Sequence, residues 1–295
     1  MAKTTLRVPR GDTPVRVDAV SDSHAVLARH ARSFSWAAIF LDSQQRDDAA
    51  VLYAFCRLAD DLADETTDPN EALEGLATLR AELVGALPAR PLVAATLEVF
   101  RRCDIDLDVA HDLLDGVGSD VSAVVALPDD ETLLEYCYQV AGTVGLMMCG
   151  VMGVRDPEAR GYAVDLGIAM QLTNLCRDVV EDAERKRVYL PDRRLRAAGT
   201  TPNLLLQGRA LPAAVRAVVS DLLGLADERY LRGDQGLRFI PWRARLAVAA
   251  ASRIYRAIGW KLRRRGYDVF EGRTVVSPVE KIRWLLAGLV RACRA

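Results

Sequence analysis

The hydrophobic and polar positions of the chain follow a helical pattern. From about residue 22 almost to the end, apolar residues recur every three or four positions, the spacing with which a helix buries one face. Prolines, glycines and an Asp-Pro step interrupt this pattern, as they do between helices. The predicted helices cover residues 22–31, 34–40, 45–64, 70–86, 91–102, 106–117, 129–153, 156–182, 203–207, 211–231, 241–265 and 277–293.

The chain lacks two features that would indicate another architecture. No segment shows the alternation of apolar and polar residues that marks a half-buried strand, and no linker rich in Pro, Gly or Ser divides the chain. We therefore predict an all-α protein with an irregular N-terminal segment, residues 1–20, and a single helical domain, residues 21–295. A chain of 295 residues that is 51% hydrophobic can build a substantial core.

Residues 136–154 carry no charged side chain but include four glycines. The segment is marginal in length for a bilayer-spanning helix, so we predict a buried core helix whose glycines admit a neighbouring helix or a ligand chain. The N-terminus has no continuous apolar stretch typical of a signal peptide. Six cysteines without a CxxC spacing indicate free thiols and a cytoplasmic protein, and the three histidines show no zinc-ligand spacing.

The charge is nearly balanced over the chain but unevenly distributed. The formal net charge is −1, which gives no indication of nucleic-acid binding. Residues 251–295, however, hold eleven Lys or Arg against three Asp or Glu, a balance of +8. Two interpretations of this region stay open: a terminal helix with a solvated basic face, or a surface that meets anionic lipid or a substrate diphosphate.

Two pairs of aspartates lie within the predicted helices. Asp60 and Asp64 are four residues apart, and so are Asp178 and Asp182. Because a helix turns by about 100° per residue, each pair projects its carboxylates from one face. Two such faces turned toward each other would form a cage for hard divalent cations and a metal-bound diphosphate.

Further polar residues share these two faces. On a helical wheel, Tyr53 and Arg57 fall within an arc of about 60° that also contains the first aspartate pair, whereas Asp61 lies to one side. Gln171 and Asn174 lie in the same narrow stripe as the second pair. Amide and carboxylate oxygens are the ligands that hard cations prefer.

A single aspartate pair is most simply a solvated helix face. Here both pairs are surrounded by apolar residues, so burying them is costly, and like charges one turn apart repel each other. Bound Mg²⁺ would relieve both costs. Arg57 and Arg177 flank the pairs and could fork the oxygens of a diphosphate. The run Arg185–Arg187 could do the same or could simply place cations at a helix C-terminus.

Taken together, these motifs resemble those of the squalene and phytoene synthases, which join two prenyl diphosphates head to head. The resemblance extends from about residue 24 to 288. The segments Tyr136–Met147 and Gly266–Phe270 look most like the phytoene synthase branch. The matching segments are His30–Phe34, Tyr53–Asp64, Tyr136–Met147, Gln171–Asp182, Arg187–Pro191 and Gly266–Phe270.

The resemblance implies an all-α isoprenoid synthase fold, with helices around a central apolar cavity. It also implies bound Mg²⁺, with Mn²⁺ as an alternative, held by Asp60, Asp64, Asn174, Asp178 and Asp182. The catalytic residues would be the same four aspartates together with Tyr53. The residues that bind substrate would be His30, Arg32, Ser33, Tyr53, Arg57, Gln171, Asn174, Arg177, Arg187, Tyr255 and Arg273.

The chain departs from the family pattern at a few positions. At the position of Asp61, many of the phytoene synthases that this segment resembles have Glu. Lys186 stands where Gly is usual before the Arg187–Pro191 segment, which would alter the flap over the site. The stretch Gly118–Leu127 matches the family poorly, so no functional residue is expected from it.

The implied function is that of a transferase in carotenoid biosynthesis. It would condense two geranylgeranyl diphosphates, through a cyclopropylcarbinyl diphosphate, to phytoene with release of diphosphate. Alternatives are a C15-specific enzyme that converts farnesyl diphosphate to squalene, dehydrosqualene or presqualene diphosphate, a chain-elongation or cyclase enzyme, and a non-catalytic relative that acts as an assembly or binding protein. The last would be expected to lose aspartates, and all four are present.

The expected partners follow from this chemistry. Prenyl diphosphates are the substrates, nucleic acid is not expected, and NADPH is not expected because the branch similarity favours phytoene over squalene. No GxGxxG motif is present either. The product is a long hydrocarbon, so we expect peripheral contact with the inner face of a membrane. The oligomeric state stays open.

Overall fold

The computed structural model of the chain describes residues 14–30, 39–66, 68–121 and 124–293, without the side chains of residues 14–17 and 30. The regular secondary structure of this part of the chain is almost entirely helical, which confirms the all-α prediction. The α-helices are α1 Pro14–His30, α2 Ser43–Asp64, α3 Pro69–Leu83, α4 Pro91–Cys103, α5 Asp108–Ser119, α6 Asp130–Cys137, α7 Thr143–Val151, α8 Glu158–Arg177, α9 Val179–Glu184, α10 Asp192–Ala197, α11 Pro202–Leu206, α12 Pro212–Gln235, α13 Trp242–Arg264 and α14 Pro278–Ala292.

Two large hydrophobic clusters organise these helices. In one of them α2 packs against α1, α4 and α5, with Phe55 and Leu113 fully buried. In the other α8 packs against α12 and α13, with Leu172 and Leu222 fully buried. Helix α7 contacts both α2 and α8. Helix α2, which carries the first aspartate pair, and helix α8, which leads into the second, therefore belong to different clusters, with α7 beside both.

The uncharged segment from residue 136 to 154 lies in the interior, as predicted. It is not one regular helix, because a π-helical turn, Tyr138–Gly142, joins α6 to α7. Its glycines admit a neighbouring helix: a Cβ on Gly145 would lie 2.4 Å from the carbonyl oxygen of Ala163 on α8. From the other side, a Cβ on Gly167 would lie 2.3 Å from the carbonyl oxygen of Ala141. The two helices thus approach each other backbone to backbone.

A short parallel ladder was not predicted. Strand β1, Val125–Ala126, pairs with β2, Arg187–Val188, so that Val125 lies opposite Arg187. Strands of two residues carry no readable alternation, and their pairing joins distant parts of the chain. Helix α10 was not predicted either, because Pro191 and Gly199, residue types that interrupt helices, flank its six residues closely.

Two helix boundaries differ from the prediction in ways that have a physical reason. Helix α1 begins at Pro14, inside the segment expected to be irregular. Proline suits the first position of a helix, because the N–H that it lacks would have no partner there. The predicted helix 156–182 is interrupted at Asp178, whose φ of −101° and ψ of 16° leave the helical region. The predicted helix 34–40 falls mostly outside the described residues.

All six cysteines are free thiols, as predicted. Cys137 and Cys176 are buried, Cys293 is exposed, and the other three are intermediate. Among the described helices, none is both long enough and apolar enough to cross a bilayer.

Candidate active site

The first aspartate pair lies at the C-terminal end of α2. The helix begins with a capping box, in which the Asp42 carboxylate accepts a hydrogen bond from the Gln45 backbone N–H. Asp64, its last residue, is contacted by Arg187 at 2.6 Å and by Arg185 at 3.5 Å. Asp60 makes no hydrogen bond or ion pair with any described residue. The helix therefore presents one carboxylate held by arginines and one without a partner.

The Asp60 carboxylate is desolvated by the protein around it. Its surface is accessible, yet surrounding protein desolvates the carboxylate, and this burial together with the nearby charge of Asp64 raises its pKa to about 7. Such a carboxylate would gain from a cation more than an exposed one does.

The neighbours of this pair differ partly from the helical-wheel prediction. Arg57 forms an ion pair with Asp61, the residue expected to lie to one side, and approaches Glu65 at 3.9 Å. Tyr53 lies near Tyr255 of α13, and burial raises its pKa. Tyr255 was also expected to bind substrate, and the structure brings it close to Tyr53.

The second pair lies where α8 passes into α9. The break at Asp178 does not separate the two carboxylates, because the backbone N–H of Asp178 still donates to Asn174 at 2.9 Å and that of Asp182 to Asp178 at 2.8 Å. These i to i−4 hydrogen bonds keep the four-residue spacing. Gln171, half-buried on α8, lies one turn before Asn174. The predicted polar stripe is therefore preserved across the break.

Asp178 is held between two arginines. Arg177 forms an ion pair with it, and Arg273, from the loop after α13, donates to both of its oxygens at 2.8 and 3.2 Å. Burial opposes ionisation of Asp178, but these hydrogen bonds outweigh it and lower its pKa. Arg273 therefore belongs to the site, although it lies 95 residues away along the chain.

Asn174 and Asp182 present side-chain oxygens that accept no hydrogen bond from the described residues. The side-chain oxygen of Asn174 is buried and accepts no hydrogen bond from the described residues. Burial and the charge of Asp178 raise the pKa of Asp182 to about 7. A buried amide oxygen without a donor is rare in proteins, and beside a desolvated carboxylate it indicates a position for a cation.

Asp120, at the end of α5, connects the two faces and was not predicted. Its carboxylate accepts hydrogen bonds from the hydroxyls of Tyr136 and Tyr189, each at 2.8 Å. Burial raises its pKa despite these hydrogen bonds, and its charge acts on both Asp60 and Asp182. It lies in the stretch Gly118–Leu127, from which the resemblance predicted no functional residue. The sequence pointed only to its hydrogen-bond partners, because Tyr136 and Tyr189 both lie in segments that resemble the family.

The β1–β2 ladder places Arg187 between these carboxylates. Its guanidinium contacts Asp64 at 2.6 Å and the carbonyl oxygen of Asp120 at 3.4 Å. The rings of Tyr136 and Tyr189 stack with centroids 4.9 Å apart, which supports the strand from inside. Of the other predicted site residues, Arg32, Ser33 and the His30 side chain lie outside the described part of the chain.

Lys186, where the family usually has Gly, adopts a left-handed conformation with φ of 62°. This conformation costs a residue with a Cβ about 1 kcal/mol or more. We therefore expect Lys186→Gly to raise the free energy of unfolding by up to about 1 kcal/mol, measured by denaturant unfolding. Lys186→Ala removes the same side chain but keeps the Cβ, and should leave stability nearly unchanged. Equal effects of the two variants would contradict this explanation.

Comparison with known proteins gives these features a context. The family model described as Squalene/phytoene synthase matches residues 27–280. A phytoene synthase of Pseudescherichia vulneris is 38% identical over 91% of this chain and 90% of its own, and one of Thermus thermophilus is 41% identical over 82% and 83%. A solved dehydrosqualene synthase structure, 28% identical, superimposes with a TM-score of 0.85 over 95% of this chain and 98% of its own. With the family model matching most of its length, the chain belongs to the squalene/phytoene synthase family.

Proposed function

We propose that the chain is a prenyltransferase that condenses two geranylgeranyl diphosphates head to head to phytoene, through a cyclopropylcarbinyl diphosphate. The observation that carries this proposal is a pair of carboxylate faces with an unpartnered Asn174 oxygen, in a chain whose relatives at 38% and 41% identity are phytoene synthases. The domain that performs the reaction is proposed to be residues 21–295.

The site residues fit a hard divalent cation. Asn174 offers a buried oxygen, and Asp60 and Asp182 offer carboxylates that no described residue neutralises by an ion pair. No group of three or more His, Cys, Asp or Glu among the described residues could hold an ion alone. This agrees with Mg²⁺ sites that combine one or two carboxylates with substrate phosphate oxygens. We propose Asp60, Asp64, Asn174, Asp178 and Asp182 as ligands of Mg²⁺ or Mn²⁺, which would supply the charge that makes diphosphate a leaving group.

The arginines of the site are proposed to bind the diphosphates. Arg177 and Arg273 contact Asp178, and Arg187 contacts Asp64. A cation on these aspartates would weaken the arginine contacts, and a planar guanidinium can then donate to two phosphate oxygens at once. The same three arginines would thus neutralise the charge of the carboxylates in the free protein and that of the diphosphates in the complex. Gln171 and Arg57 are proposed to line the same site.

The remaining roles concern the carbon skeleton. The allylic cation formed on loss of diphosphate is attacked by the double bond of the second substrate, and proton loss closes the cyclopropane. We propose that the released diphosphate accepts this proton and that Tyr53 orients it, since Tyr53 lies beside Arg57 and Tyr255. The apolar residues between Val140 and Met152 would keep water away from the cations.

A C15-specific reaction is the second candidate. It is favoured by the structural similarity to a dehydrosqualene synthase, with a TM-score of 0.85. The two candidates share the diphosphate chemistry and differ in the length of the prenyl chain. We favour C20 substrates because the relatives with higher identity are phytoene synthases.

A product assay tests the proposal. Purified protein with Mg²⁺ receives geranylgeranyl or farnesyl diphosphate, each with and without NADPH, and the lipid extract is separated by chromatography. We expect a C40 hydrocarbon from geranylgeranyl diphosphate without NADPH. A C30 product or presqualene diphosphate would establish the second candidate. No turnover of either substrate by folded protein would contradict both and favour a binding protein.

A further inference from the structure

Helix α14 exposes a continuous apolar stripe. Val279 is 77% exposed, Ile282 47%, Leu286 56% and Val290 53%. At about 100° per residue, these four positions fall within an arc of about 80°. Isolated apolar residues are common on protein surfaces, but a stripe along the length of a helix marks an interaction surface. We call these four residues the α14 stripe.

The opposite side of α14 is firmly packed. Gly288 and Ala292 are buried, and a Cβ on Gly288 would lie 2.7 Å from the carbonyl oxygen of Ala249 on α13. A capping box at Ser277 and Glu280 fixes the start of the helix. The stripe is therefore the outer face of a docked helix.

The charge on this face is positive. Arg283 follows Ile282 directly and makes no ion pair with any described residue. The one acidic residue of α14, Glu280, is bound by Lys261 at 2.8 Å and by the backbone N–H of Ser277 at 2.7 Å. The stripe thus carries an uncompensated cation and no free carboxylate within the described helix. An apolar face with an unpaired arginine at its edge complements an anionic lipid surface.

An aromatic contact on the packed side of α14 attaches the helix to α13. Trp284 is half-buried and contacts Trp260 of α13, with ring centroids 4.6 Å apart. The Arg283 guanidinium lies 5.5 Å from the Trp284 ring. Trp284 therefore helps to hold α14 on α13, and Arg283 lies between Trp284 and the exposed stripe around the helix.

The α14 stripe also lies close to the active site along the chain. Arg273, which contacts Asp178, is followed by Val275, whose side chain is 62% exposed. Val279 is the next exposed aliphatic residue. The loop between them is tied to α13 through Lys261, which donates to the Val275 carbonyl oxygen at 2.7 Å. An apolar surface thus begins within a few residues of the diphosphate site.

We propose that the α14 stripe docks on the surface of a bilayer that contains anionic lipid, with Arg283 at the headgroups. The proposed function supplies the biological reason for membrane binding, because a hydrocarbon product needs an apolar phase to enter. The evidence for the inference is the stripe and its charge, which do not depend on the reaction.

Vesicle flotation of the full chain tests the proposal. The protein is mixed with phosphatidylcholine vesicles with or without phosphatidylglycerol. We expect binding to the anionic vesicles and at least about tenfold weaker binding for the double variant Ile282→Glu/Leu286→Glu. The matched control, Leu211→Glu/Leu231→Glu, adds the same charge at exposed leucines outside α14 and should bind like the unaltered chain.

A second variant examines the charge. Arg283→Gln should weaken binding to anionic vesicles about fivefold and leave weak binding to neutral vesicles unchanged. Because all these positions are exposed, the variants should retain the circular dichroism and thermal unfolding of the parent.

Several outcomes would overturn the proposal. One is that the unaltered chain does not bind anionic vesicles, and another is that the test and control variants lose vesicle binding equally. A third is that the chain binds no vesicles but forms a dimer that only the α14 double variant dissociates, which would assign the stripe to contact with a second copy. Turnover is measured separately in detergent without vesicles. A variant that loses vesicle binding but keeps turnover in detergent would report on the α14 stripe alone. Absence of turnover in the unaltered chain and in every variant would contradict the proposed function alone.

Discussion

Asp182→Asn is expected to lower kcat/KM for geranylgeranyl diphosphate by about three orders of magnitude. The variant keeps the size of the side chain but removes a charge that the proposed cation requires, and such charge stabilisation contributes several kcal/mol to a transition state. Steady-state kinetics at saturating Mg²⁺ measure the effect. Glu184→Gln is the control, because Glu184 is an exposed acid two residues further along the same short helix.

The same variant is expected to stabilise the metal-free protein. Burial raises the pKa of Asp182 to about 7, so the folded chain disfavours its charged form. In the wild type, the contribution of the Asp182 carboxyl to the free energy of unfolding is fully present below its ordinary pKa near 4 and is lost as the pH rises to about 7. Asp182→Asn avoids that loss and should gain roughly 1–2 kcal/mol at pH 8, after allowance for solvent access.

Thermal unfolding in EDTA at several pH values measures this gain. The difference between variant and parent should grow from pH 4 to pH 7 and then level off. A variant that loses activity and also loses stability at pH 8 would contradict the assignment of Asp182 as a desolvated, cation-binding carboxylate. An active variant would exclude it from the metal site.

Gly167→Ala is expected to lower the free energy of unfolding by about 3 kcal/mol. Its Cβ would lie 2.3 Å from the Ala141 carbonyl oxygen, and backbone atoms cannot move aside as a flexible side chain can. The helices would have to separate along their closest contact. Because Gly167 lies on α8, which leads into the second aspartate pair, the geometry of the candidate active site should also be disturbed. Denaturant unfolding of the variant measures the loss of stability.

Gly161→Ala provides the control on the same helix. A Cβ on Gly161 meets nothing within 4 Å, so alanine there should stabilise α8 by up to about 1 kcal/mol through its higher helix propensity. The two identical substitutions, six residues apart, should therefore have opposite signs. Destabilisation by both would show that α8 tolerates no change in general and would contradict the close-contact explanation.

The parts of the site that could be predicted from the sequence are those that follow from helical spacing. Four-residue steps place Asp60 with Asp64 and Asp178 with Asp182, whatever the helices pack against. Even the break at Asp178 leaves this spacing intact, because the backbone hydrogen bonds on both sides of it persist. Local geometry therefore determined the two carboxylate faces before any tertiary contact was known.

The features that were missed depend on contacts between distant segments. Asp120 acquires its place from hydrogen bonds to Tyr136 and Tyr189, and no pattern around Asp120 indicates them. The β1–β2 ladder pairs Val125 with Arg187 through two residues on each side. Arg57 forms an ion pair with Asp61. Its flexible side chain can reach more than one neighbouring carboxylate, and a helical wheel does not show which of them it contacts.

The distribution of the cysteines has a practical consequence for spectroscopy. Cys137 and Cys176 are buried, and burial raises the pKa of Cys149 to about 11 and that of Cys103 as well. Thiolates, which react with maleimides, are therefore scarce at these positions at neutral pH. Cys293 is exposed and follows Val290 by three residues at the end of α14. The native chain thus carries its own attachment point for a polarity-sensitive fluorophore, at the end of the helix whose surroundings such a dye would report.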